Sequence, residues 1–257
     1  MAKKLNKGFK NKTRLDTFVV EKGLVKSRHR AKALIMAGKV LVNDCPVDKP
    51  GTLIADDANI IVKQDDNPFV SRGGLKLEAA LKSIPVSVND LTCLDIGAST
   101  GGFTDCLLQY GAAKVYAVDV GYGQFDWTLR QNLRVKVIER TNIRQLPYEV
   151  INEKMDIIVA DTSFISLKVV IPSAEKFMRD HTLVLALIKP QFEAGKKNVG
   201  KGGVVKDPEI RKLVIKDLKV FFKERGYLVN QIVPSPIFGP KGNKEYIISL
   251  NYRENLN

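Results

Sequence analysis

The stretch LDIGASTGGFTDCLL, residues 94–108, decides the fold of this chain. A short apolar strand runs into a glycine-rich turn, and an amphipathic helix follows directly. Glycines in the turn allow backbone conformations and a close ligand approach that a Cβ atom would block, and the first turn of the helix presents unpaired amide groups. This pattern is typical of a nucleotide-binding strand–turn–helix, so we predict a nucleoside-like ligand at the turn.

The next strand ends in an acid that suits a ribose. Asp119 comes 22 residues after Gly97, and a carboxylate there matches the ribose diol of NAD or of S-adenosylmethionine. A dinucleotide turn needs a glycine where this chain has Ser99. The turn instead resembles the first motif of S-adenosylmethionine-dependent methyltransferases, whose sulfonium nucleoside has no pyrophosphate. The resemblance implies S-adenosylmethionine as the cofactor, and a purely structural glycine turn is the alternative.

Charge is distributed unevenly along the chain. The 257 residues carry 41 Lys and Arg against 28 Asp and Glu, a net charge of +13. Residues 1–40 hold twelve basic and two acidic side chains and so account for +10 of this charge. Such an asymmetry indicates a basic module that binds a polyanion, joined to a nearly neutral body, with nucleic acid as the leading partner.

The basic module has a recognisable pattern. Residues 1–13 have the composition of a flexible basic tail, and a helical pattern begins at Arg14. Ser27 is the expected N-cap of a second helix that runs through Ala37, and short strands are expected near 39–44 and 59–62.

The motifs RLD at 14–16, SRxxA at 27–31 and GxVxVN at 38–43 resemble the small RNA-binding module of ribosomal protein S-four, over residues 14–63. In that family a two-helix face meets RNA phosphates. The resemblance nominates Arg14, Lys26, Arg28, Arg30 and Lys32 for RNA binding. The alternative for these cations is an ordinary solvated helix face.

Residues 64–70, QDDNPFV, have the polar, proline-containing composition of a domain joint. We therefore expect an RNA-binding domain over residues 1–63, a linker over 64–70 and a methyltransferase domain over 71–257. The predicted fold class is α/β, a Rossmann-like methyltransferase sheet preceded by a small α+β domain. Strands are expected near 92–96, 115–119, 135–138, 156–160, 182–188, 227–233 and 245–251. The last helix is expected between an N-cap at Asp207 and a stop at Gly226.

Composition also bears on the cellular setting. Cys45, Cys93 and Cys106 are odd in number and widely spaced, which favours a reducing cytoplasm and indicates no metal site. The longest apolar runs are strand-sized, and no apolar segment follows the basic first residues. We expect a cytoplasmic protein without a signal peptide or a membrane partner. No pattern predicts an oligomeric state.

Three predicted strands end in ionisable residues, Asp119, Asp161 and Lys189. Sheets of this kind bind ligands at the carboxyl ends of their strands, so these residues are site candidates, although each alone also fits a charge that leaves the core for solvent. In the methyltransferase strand order the first, fourth and fifth strands are neighbours. That order would place Asp161 and Lys189 beside the glycine turn.

A set of four residues resembles the Lys-Asp-Lys-Glu tetrad of the FtsJ-type ribose 2′-O-methyltransferases: Lys76, Asp161, Lys189 and Glu245. A ribose hydroxyl is a poor nucleophile, so its attack on a sulfonium methyl needs an oriented and partly deprotonated oxygen. The resemblance implies Lys189 as the base and Asp161 and Lys76 as orienting groups. Glu245 would complete the network.

Longer strings extend the resemblance along nearly the whole chain. VDVGYGQ at 118–124, ERTN at 139–142, DTSFIS at 161–166 and IKPQFE at 188–193 are similar to the TlyA family. The resemblance implies the activity of that family, 2′-O-methylation of cytidine in ribosomal RNA, with ribosomal RNA or ribosomal subunits as the partner. Members of the family are often also labelled haemolysins. The implied cofactor-binding residues are Asp95, Gly97, Ala98, Ser99, Gly101, Gly102, Phe103, Asp119, Asn142 and Asp161. Asn142 would lie near the adenine, and a simple turn residue is the alternative.

Other functions fit the sequence less well. Residues 195–201, GKKNVGK, match the phosphate-binding pattern G-x-x-x-x-G-K, but Gly202 replaces the Ser or Thr that holds Mg²⁺. We expect instead a basic mobile loop over the RNA cleft. An amino-directed base methyltransferase would prefer two prolines in the segment 161–164, which has none. A membrane-active haemolysin needs a spanning or insertion segment that does not stand out, and a non-catalytic ribosome-binding protein would need no tetrad.

Overall fold

The computed structural model describes residues 12–25, 27–62 and 67–254, apart from the side chain of Pro240. The chain forms two compact units, Met1–Asp66 and Asn67–Asn257. Their boundary falls within the polar stretch 64–70. Most of the expected basic tail, and Lys26, lie outside the described residues.

The first unit is a small α+β fold. Its apolar core includes Leu15 and Phe18 from the first helix and Ile35 from the second. The expected N-cap is confirmed, because the Ser27 Oγ accepts a hydrogen bond from the Arg30 amide. Antiparallel pairing gives two small sheets, β3-β2-β5 and β1-β4. The described elements are β1 (Lys12–Arg14), α1 (Leu15–Glu21), α2 (Arg28–Met36), β2 (Val40–Val42), β3 (Cys45–Pro46), β4 (Leu53–Ala55) and β5 (Ile60–Val62).

The first strand corrects two expectations. Lys12 and Thr13 belong to β1 rather than to a flexible tail, and Arg14 ends that strand instead of starting the helix. The strand pairs with β4 in a register that places Lys12 opposite Ala55. A partner this far along the chain leaves no mark on local hydrophobic periodicity, so the pattern of residues 12–14 did not predict the pairing.

The second unit confirms the predicted Rossmann-like α/β class. Within residues 67–254, seven strands form one sheet in the order β11-β12-β10-β9-β6-β7-β8. The strands are β6 (Thr92–Ile96), β7 (Lys114–Val118), β8 (Val135–Ile138), β9 (Met155–Ala160), β10 (Met178–Ile188), β11 (Leu228–Pro234) and β12 (Tyr246–Asn251). The helices are α3 (Gly73–Ser83), α4 (Gly102–Gln109), α5 (Trp127–Arg130), α6 (Tyr148–Ile151), α7 (Leu167–Ser173), α8 (Pro190–Glu193) and α9 (Pro208–Glu224).

Successive residues of the central strands enter opposite apolar layers. On β6, Cys93 faces the layer formed with α3 and α4, whereas Leu94 faces the layer formed with α7 and α9. Both residues are fully buried. Burial on both faces explains why these strands appear in the sequence as continuous apolar runs. The sheet is therefore a packed platform whose strand ends hold the polar residues.

The longest helix, α9, begins and ends where the sequence indicates. The Asp207 side chain accepts a hydrogen bond from the Glu209 amide at 2.8 Å, and Pro208 occupies the first helical position. Gly226, with a φ of 90°, follows the last turn. The expected bounds of this helix are confirmed.

The amino-terminal ends of α3 and α4 approach each other at glycines. A Cβ atom on Gly102 would lie 3.0 Å from the backbone nitrogen of Gly74 and would overlap the Oγ of Ser71. A Cβ atom on Gly74 would overlap the side chain of Phe69, which is 3% exposed. The absence of a side chain at Gly102 lets the two helix ends lie side by side, and its absence at Gly74 makes room for Phe69.

This approach predicts that Gly74→Ala lowers the free energy of unfolding by about 1–3 kcal/mol, because the buried Phe69 ring must move to admit the new methyl group. Urea unfolding followed by circular dichroism measures the change. Gly73→Ala, the matched control, has no atom closer than 3.2 Å to its new Cβ and is expected to change stability by less than about 1 kcal/mol. Equal effects of the two substitutions would contradict this packing.

Candidate active site

The glycine turn after β6 has a left-handed backbone at three positions. Gly97 and Gly101 have φ angles of 82° and 93°, and Ser99 has a φ of 50°. A Cβ atom on Gly97 would lie 2.6 Å from the carbonyl oxygen of Asp161, so the turn lies directly against the end of β9. The carboxyl ends of the neighbouring strands β6 and β9 therefore meet at this turn.

Asp119, which follows β7, fixes the turn through the backbone. Its Oδ2 accepts a hydrogen bond from the Ser99 amide at 2.8 Å, and its Oδ1 accepts one from the Gly121 amide at 2.6 Å. These two bonds hold the carboxylate in one orientation. Each oxygen keeps a further lone pair with which it can accept a hydrogen bond from a ligand hydroxyl.

Asp95 lies beneath the turn. It is 0% exposed, and its Oδ2 accepts a hydrogen bond from the Thr104 Oγ1 at 2.7 Å. Its Oδ1 has no hydrogen-bond partner among the described residues. Burial raises the pKa of Asp95 to about 7, and the nearby carboxylate of Asp161 adds to this rise. Asp95 thus contacts the first turn of α4 from inside the protein.

Strand register brings three of the four tetrad residues to one edge of the sheet. Asp161 follows β9 and Lys189 follows β10, and these strands are parallel neighbours. Glu245 immediately precedes β12, which is antiparallel to β10 and pairs Tyr246 with Ile188. The residue before β12 therefore lies beside the residue after β10. The fourth residue, Lys76, comes from the first turn of α3.

The four side chains form one continuous network. Lys76 Nζ lies 2.6 Å from Glu245 Oε2 and 3.8 Å from Asp161 Oδ2. Lys189 Nζ lies 2.5 Å from Asp161 Oδ1 and donates a hydrogen bond to the Ser163 Oγ at 2.9 Å. Both lysines and Glu245 are buried, and such burial requires the charge partners that the network supplies. The network thus matches two lysines with two carboxyl groups.

A cavity of about 330 Å³ opens at this edge of the sheet, a size suited to a small ligand. The site candidates from the sequence that line it are Lys76, Gly97, Ala98, Ser99, Gly102, Phe103, Asp161 and Lys189. The lining residues that the sequence did not single out are Ser71, Arg72, Gly73, Thr100, Ser163, Ile237, Phe238 and Gly239. The glycine turn and the tetrad lysines thus share one cavity.

Five site candidates do not line the cavity: Asp95, Gly101, Asp119, Asn142 and Glu245. Gly101 packs against Leu129, whose side chain a Cβ atom at position 101 would crowd. Asn142 follows β8 at the same edge of the sheet, and its Oδ1 accepts a hydrogen bond from the Arg144 amide at 3.0 Å. Glu245 reaches the cavity through its contact with Lys76.

The missed lining residues come from two segments. Residues 71–73 include the start of α3 and the two residues before it, and residues 237–239 lie on the loop between β11 and β12. Gly239 leaves room for Glu245, because a Cβ atom at this position would overlap the Glu245 carboxylate. Neither segment is a strand end or part of the glycine turn. Their closeness in sequence to Lys76 and Glu245 is the one signal that could have found them.

Six exposed lysines lie on two loops, residues 195–206 and residues 240–244. Asn243, which is 3% exposed, joins these loops. Its Nδ2 donates to the Gly203 carbonyl at 2.9 Å, and its Oδ1 accepts from the Val205 amide at 3.1 Å. The short helix α8, rather than a strand, leads into the first loop, unlike in the phosphate-binding motif of NTPases. The loop lysines are Lys196, Lys197, Lys201, Lys206, Lys241 and Lys244.

In the first unit, the structure describes four of the five cations that the sequence nominates for RNA binding. Arg14 and Arg28 are about half exposed, and both contact the carboxylate of Asp16. Arg30 is half-buried and Lys32 is exposed. The fifth, Lys26, lies outside the described residues. The described cations lie on β1 and α2.

The described residues contain neither a candidate membrane span nor a candidate metal cluster. None of the helices within residues 12–25, 27–62 and 67–254 is long and apolar enough to cross a membrane. In the same ranges, no group of three or more His, Cys, Asp or Glu side chains is arranged to hold a metal ion.

Two family models match the chain. The S4 domain matches residues 13–65, and the FtsJ-like methyltransferase matches residues 69–252, which is more than half of the chain. The chain belongs to the FtsJ-like methyltransferase family. Each model falls within one of the two compact units.

Named relatives confirm the expected place in the TlyA group of this family. The 16S/23S rRNA (cytidine-2'-O)-methyltransferase TlyA of Mycobacterium tuberculosis is 45% identical over 240 residues, which cover 93% of this chain and 90% of that protein. Hemolysin A of Brachyspira hyodysenteriae is 43% identical, with 91% of this chain and 98% of that protein covered. A 23S rRNA (cytidine-2'-O)-methyltransferase TlyA of Campylobacter jejuni is 34% identical, with 89% and 96% covered.

Solved structures agree with the fold. A candidate hemolysin from Streptococcus thermophilus is 41% identical, covers 95% of this chain and 89% of its own, and superposes with a TM-score of 0.74. A candidate S-adenosylmethionine-dependent methyltransferase from Listeria monocytogenes has a TM-score of 0.53 at 15% identity and covers 72% of this chain and 100% of its own. The second likeness supports the methyltransferase fold alone.

The burial of Asp95 predicts a pH effect on stability. In the unfolded chain this carboxyl ionises near pH 4, but in the folded protein it ionises only near pH 7. The ionisation of Asp95 therefore lowers the free energy of unfolding as pH rises from about 4 to about 7, and lowers it no further above about pH 7. Asp95→Asn is expected to remove this loss, so that its stability relative to the unsubstituted chain improves by about 1–3 kcal/mol between about pH 5 and about pH 8.

Urea unfolding at the two pH values measures this difference. The exposed Asp90, whose Oδ2 accepts a hydrogen bond from the Asn89 Nδ2 at 2.6 Å, provides the control, because Asp90→Asn should leave the pH dependence of the unsubstituted chain in place. A pH dependence of Asp95→Asn identical to that of the unsubstituted chain would show that Asp95 ionises normally.

Proposed function

We propose that this chain transfers the methyl group of S-adenosylmethionine to the 2′-hydroxyl of a cytidine ribose in ribosomal RNA. The observation that carries the proposal is the network beside the glycine turn, in which the half-buried Asp161 contacts two buried lysines, Lys76 and Lys189, and Lys76 also contacts the buried Glu245. A turn of this kind accounts for cofactor binding alone. Ionisable side chains on the same cavity can in addition orient and deprotonate a nucleophile.

The names of two relatives support the choice of substrate. The proteins of Mycobacterium tuberculosis and Campylobacter jejuni are named as rRNA (cytidine-2'-O)-methyltransferases. At least 89% of this chain and 90% of each of those proteins is covered by the match. The same reaction is therefore the simplest one to assign to the cavity of this chain.

The residues of the cavity fit S-adenosylmethionine. Amide groups at the start of α4 and the exposed side chain of Arg72 offer donors for a carboxylate such as that of the methionine portion. Asp119 does not line the cavity, but it binds the Ser99 amide of the turn and has lone pairs left for a ribose diol. Gly97 and Gly102 leave the approach to the turn free of side chains.

When bound, S-adenosylmethionine supplies an electrophilic methyl group on a sulfonium centre. Asp161 links the two halves of the site, because its backbone carbonyl lies against the glycine turn while its carboxylate lies between the two lysines. A hydroxyl held at Lys189 is thereby positioned beside the turn. Orientation of this kind can contribute several kcal/mol to a transfer reaction.

Lys189 is the proposed base. In its neutral form the Nζ would accept the proton of a ribose hydroxyl held beside the turn. The ammonium that results pairs with Asp161, at the 2.5 Å separation of the structure, and then loses its proton to solvent. Lys76, held by Glu245 at 2.6 Å, keeps the Asp161 carboxylate in place from its other side.

The cavity rim offers surfaces for the RNA. Phe164, next to Ser163, is 89% exposed with a φ of 65°, and its ring lies 4.8 Å from that of Phe192. An exposed aromatic ring at this point can stack on an unpaired base. The loop lysines, Lys196 to Lys206 and Lys241 to Lys244, can contact phosphates, as can the cations of the first unit.

The proposal predicts that Lys189→Ala slows transfer to ribosomal RNA by about a hundredfold or more, because the proton acceptor is lost while the turn is untouched. Mass spectrometry of nucleosides after incubation of unmethylated RNA with labelled cofactor measures 2′-O-methylcytidine directly. Calorimetry should find nearly unchanged cofactor affinity.

Two other variants serve as controls, one expected to keep the normal rate and one expected to change cofactor affinity. Lys168→Ala removes a lysine that pairs with Asp217 outside the cavity and should transfer at the normal rate. Asp119→Ala should instead weaken cofactor affinity by about 1–3 kcal/mol, because charge-assisted hydrogen bonds are lost. A normal rate for Lys189→Ala would exclude this lysine as the base. Label found on the cytosine base would exclude ribose as the acceptor.

A further inference from the structure

The first unit buries a carboxylate that two arginines share. Asp16 lies in the first turn of α1 and is 0% exposed. Its Oδ1 and Oδ2 accept hydrogen bonds from the Nε and Nη2 of Arg14, each at 3.0 Å, and Oδ2 also accepts one from the Nη2 of Arg28 at 3.3 Å. A fully buried carboxylate is stable only with such partners.

These contacts leave both arginines with exposed surface and with further hydrogen-bond donors. The side chains of Arg14 and Arg28 are 50% and 57% exposed. A guanidinium has five N–H donors, and the bonds to Asp16 use two from Arg14 and one from Arg28. Hydrogen bonds from Arg14, and then from Arg28, hold the pKa of Asp16 well below its usual range, so the cluster keeps one net positive charge at neutral pH.

The backbone fixes the cluster from three elements. Arg14 ends β1, Asp16 lies in the first turn of α1, and Arg28 begins α2. The Asp16 amide donates to the Pro50 carbonyl at 3.0 Å, and a Cβ atom on Gly51 would lie 3.3 Å from the Nη1 of Arg14. The Arg14 guanidinium is thus confined between Asp16 and the loop at 50–52. A confined guanidinium loses less entropy when it binds a phosphate than a free one does.

We propose that Asp16 is a positioning residue that holds Arg14 and Arg28 as one preformed site for an RNA phosphate. The proposal rests on the proposed function, because it takes ribosomal RNA as the polyanion. The competing explanation is that the carboxylate serves only to stabilise the packing of α1 on α2, with the arginines as its counterions.

A substitution that keeps the shape of Asp16 separates the two explanations by the sign of its effect. Asp16→Asn removes one negative charge and so raises the net charge of the chain by one. General electrostatic attraction then predicts tighter binding to RNA and a steeper dependence on salt. Loss of positioning predicts weaker binding and a shallower dependence, because the two guanidiniums no longer meet the phosphate together.

The experiment measures binding of the full-length protein to an in vitro transcript of large-subunit ribosomal RNA over a range of salt concentrations. Asp16→Asn is expected to weaken binding about tenfold and to reduce the slope of log affinity against log salt by about one unit or more. The loss should appear in the KM for RNA in methyl-transfer assays. Glu21→Gln, an exposed residue of α1 with the same change of charge, is the control and should bind as tightly as the unsubstituted chain or slightly more tightly.

A second variant guards against unfolding of Asp16→Asn. Arg14→Lys keeps the net charge but cannot form the two-pronged contact with Asp16, and it should also weaken binding about tenfold. If Asp16→Asn and Arg14→Lys bind RNA as tightly as the Glu21→Gln control, the positioning role is wrong. RNA binding with the expected pattern but no methyl transfer would instead overturn the proposed function and leave this inference standing.

Discussion

The candidate active site depends on the register of three neighbouring strands. β9 and β10 run parallel and end at Asp161 and Lys189, while β12 runs antiparallel and begins after Glu245. A shift of β12 by one residue against β10 would turn the side chains of β12 to the opposite layer and carry Glu245 away from Lys76. Apolar residues fill both faces of these strands, so such a shift is opposed by the whole core. The packing of the core thereby fixes the positions of Asp161, Lys189 and Glu245 relative to one another.

The network that results is costly in free energy of folding. Buried ion pairs seldom repay the cost of removing their charges from water, and the removal of one partner leaves the other uncompensated. Asp95 adds to this cost, since one of its oxygens has no partner among the described residues. Gly239 and Gly97 make the arrangement sterically possible, because a side chain at either would collide with Glu245 or with Asp161. Departures from local stability of this kind concentrate at functional sites.

Much of this site could be predicted from the sequence, because strand ends and glycine turns leave local patterns. Asp161 and Lys189 stand at the ends of apolar runs, and the family resemblance added Lys76 and Glu245. Periodicity did not reveal that Asp95 faces inward, since both faces of β6 are buried. It also missed the loop 237–239 and the strand β1, which depend on contacts with distant segments. The partnership of Arg14 with the buried Asp16 was hidden for the same reason.

The most direct test of the account is a double-mutant cycle on the rate of methyl transfer in a single turnover. Lys76→Met and Glu245→Gln each break the contact of 2.6 Å that completes the network. If the four residues act as one unit, the double variant should be about as slow as the slower single variant, with a coupling free energy of about 1 kcal/mol or more. Strictly additive losses would show that Lys76 and Glu245 act independently and would contradict the network.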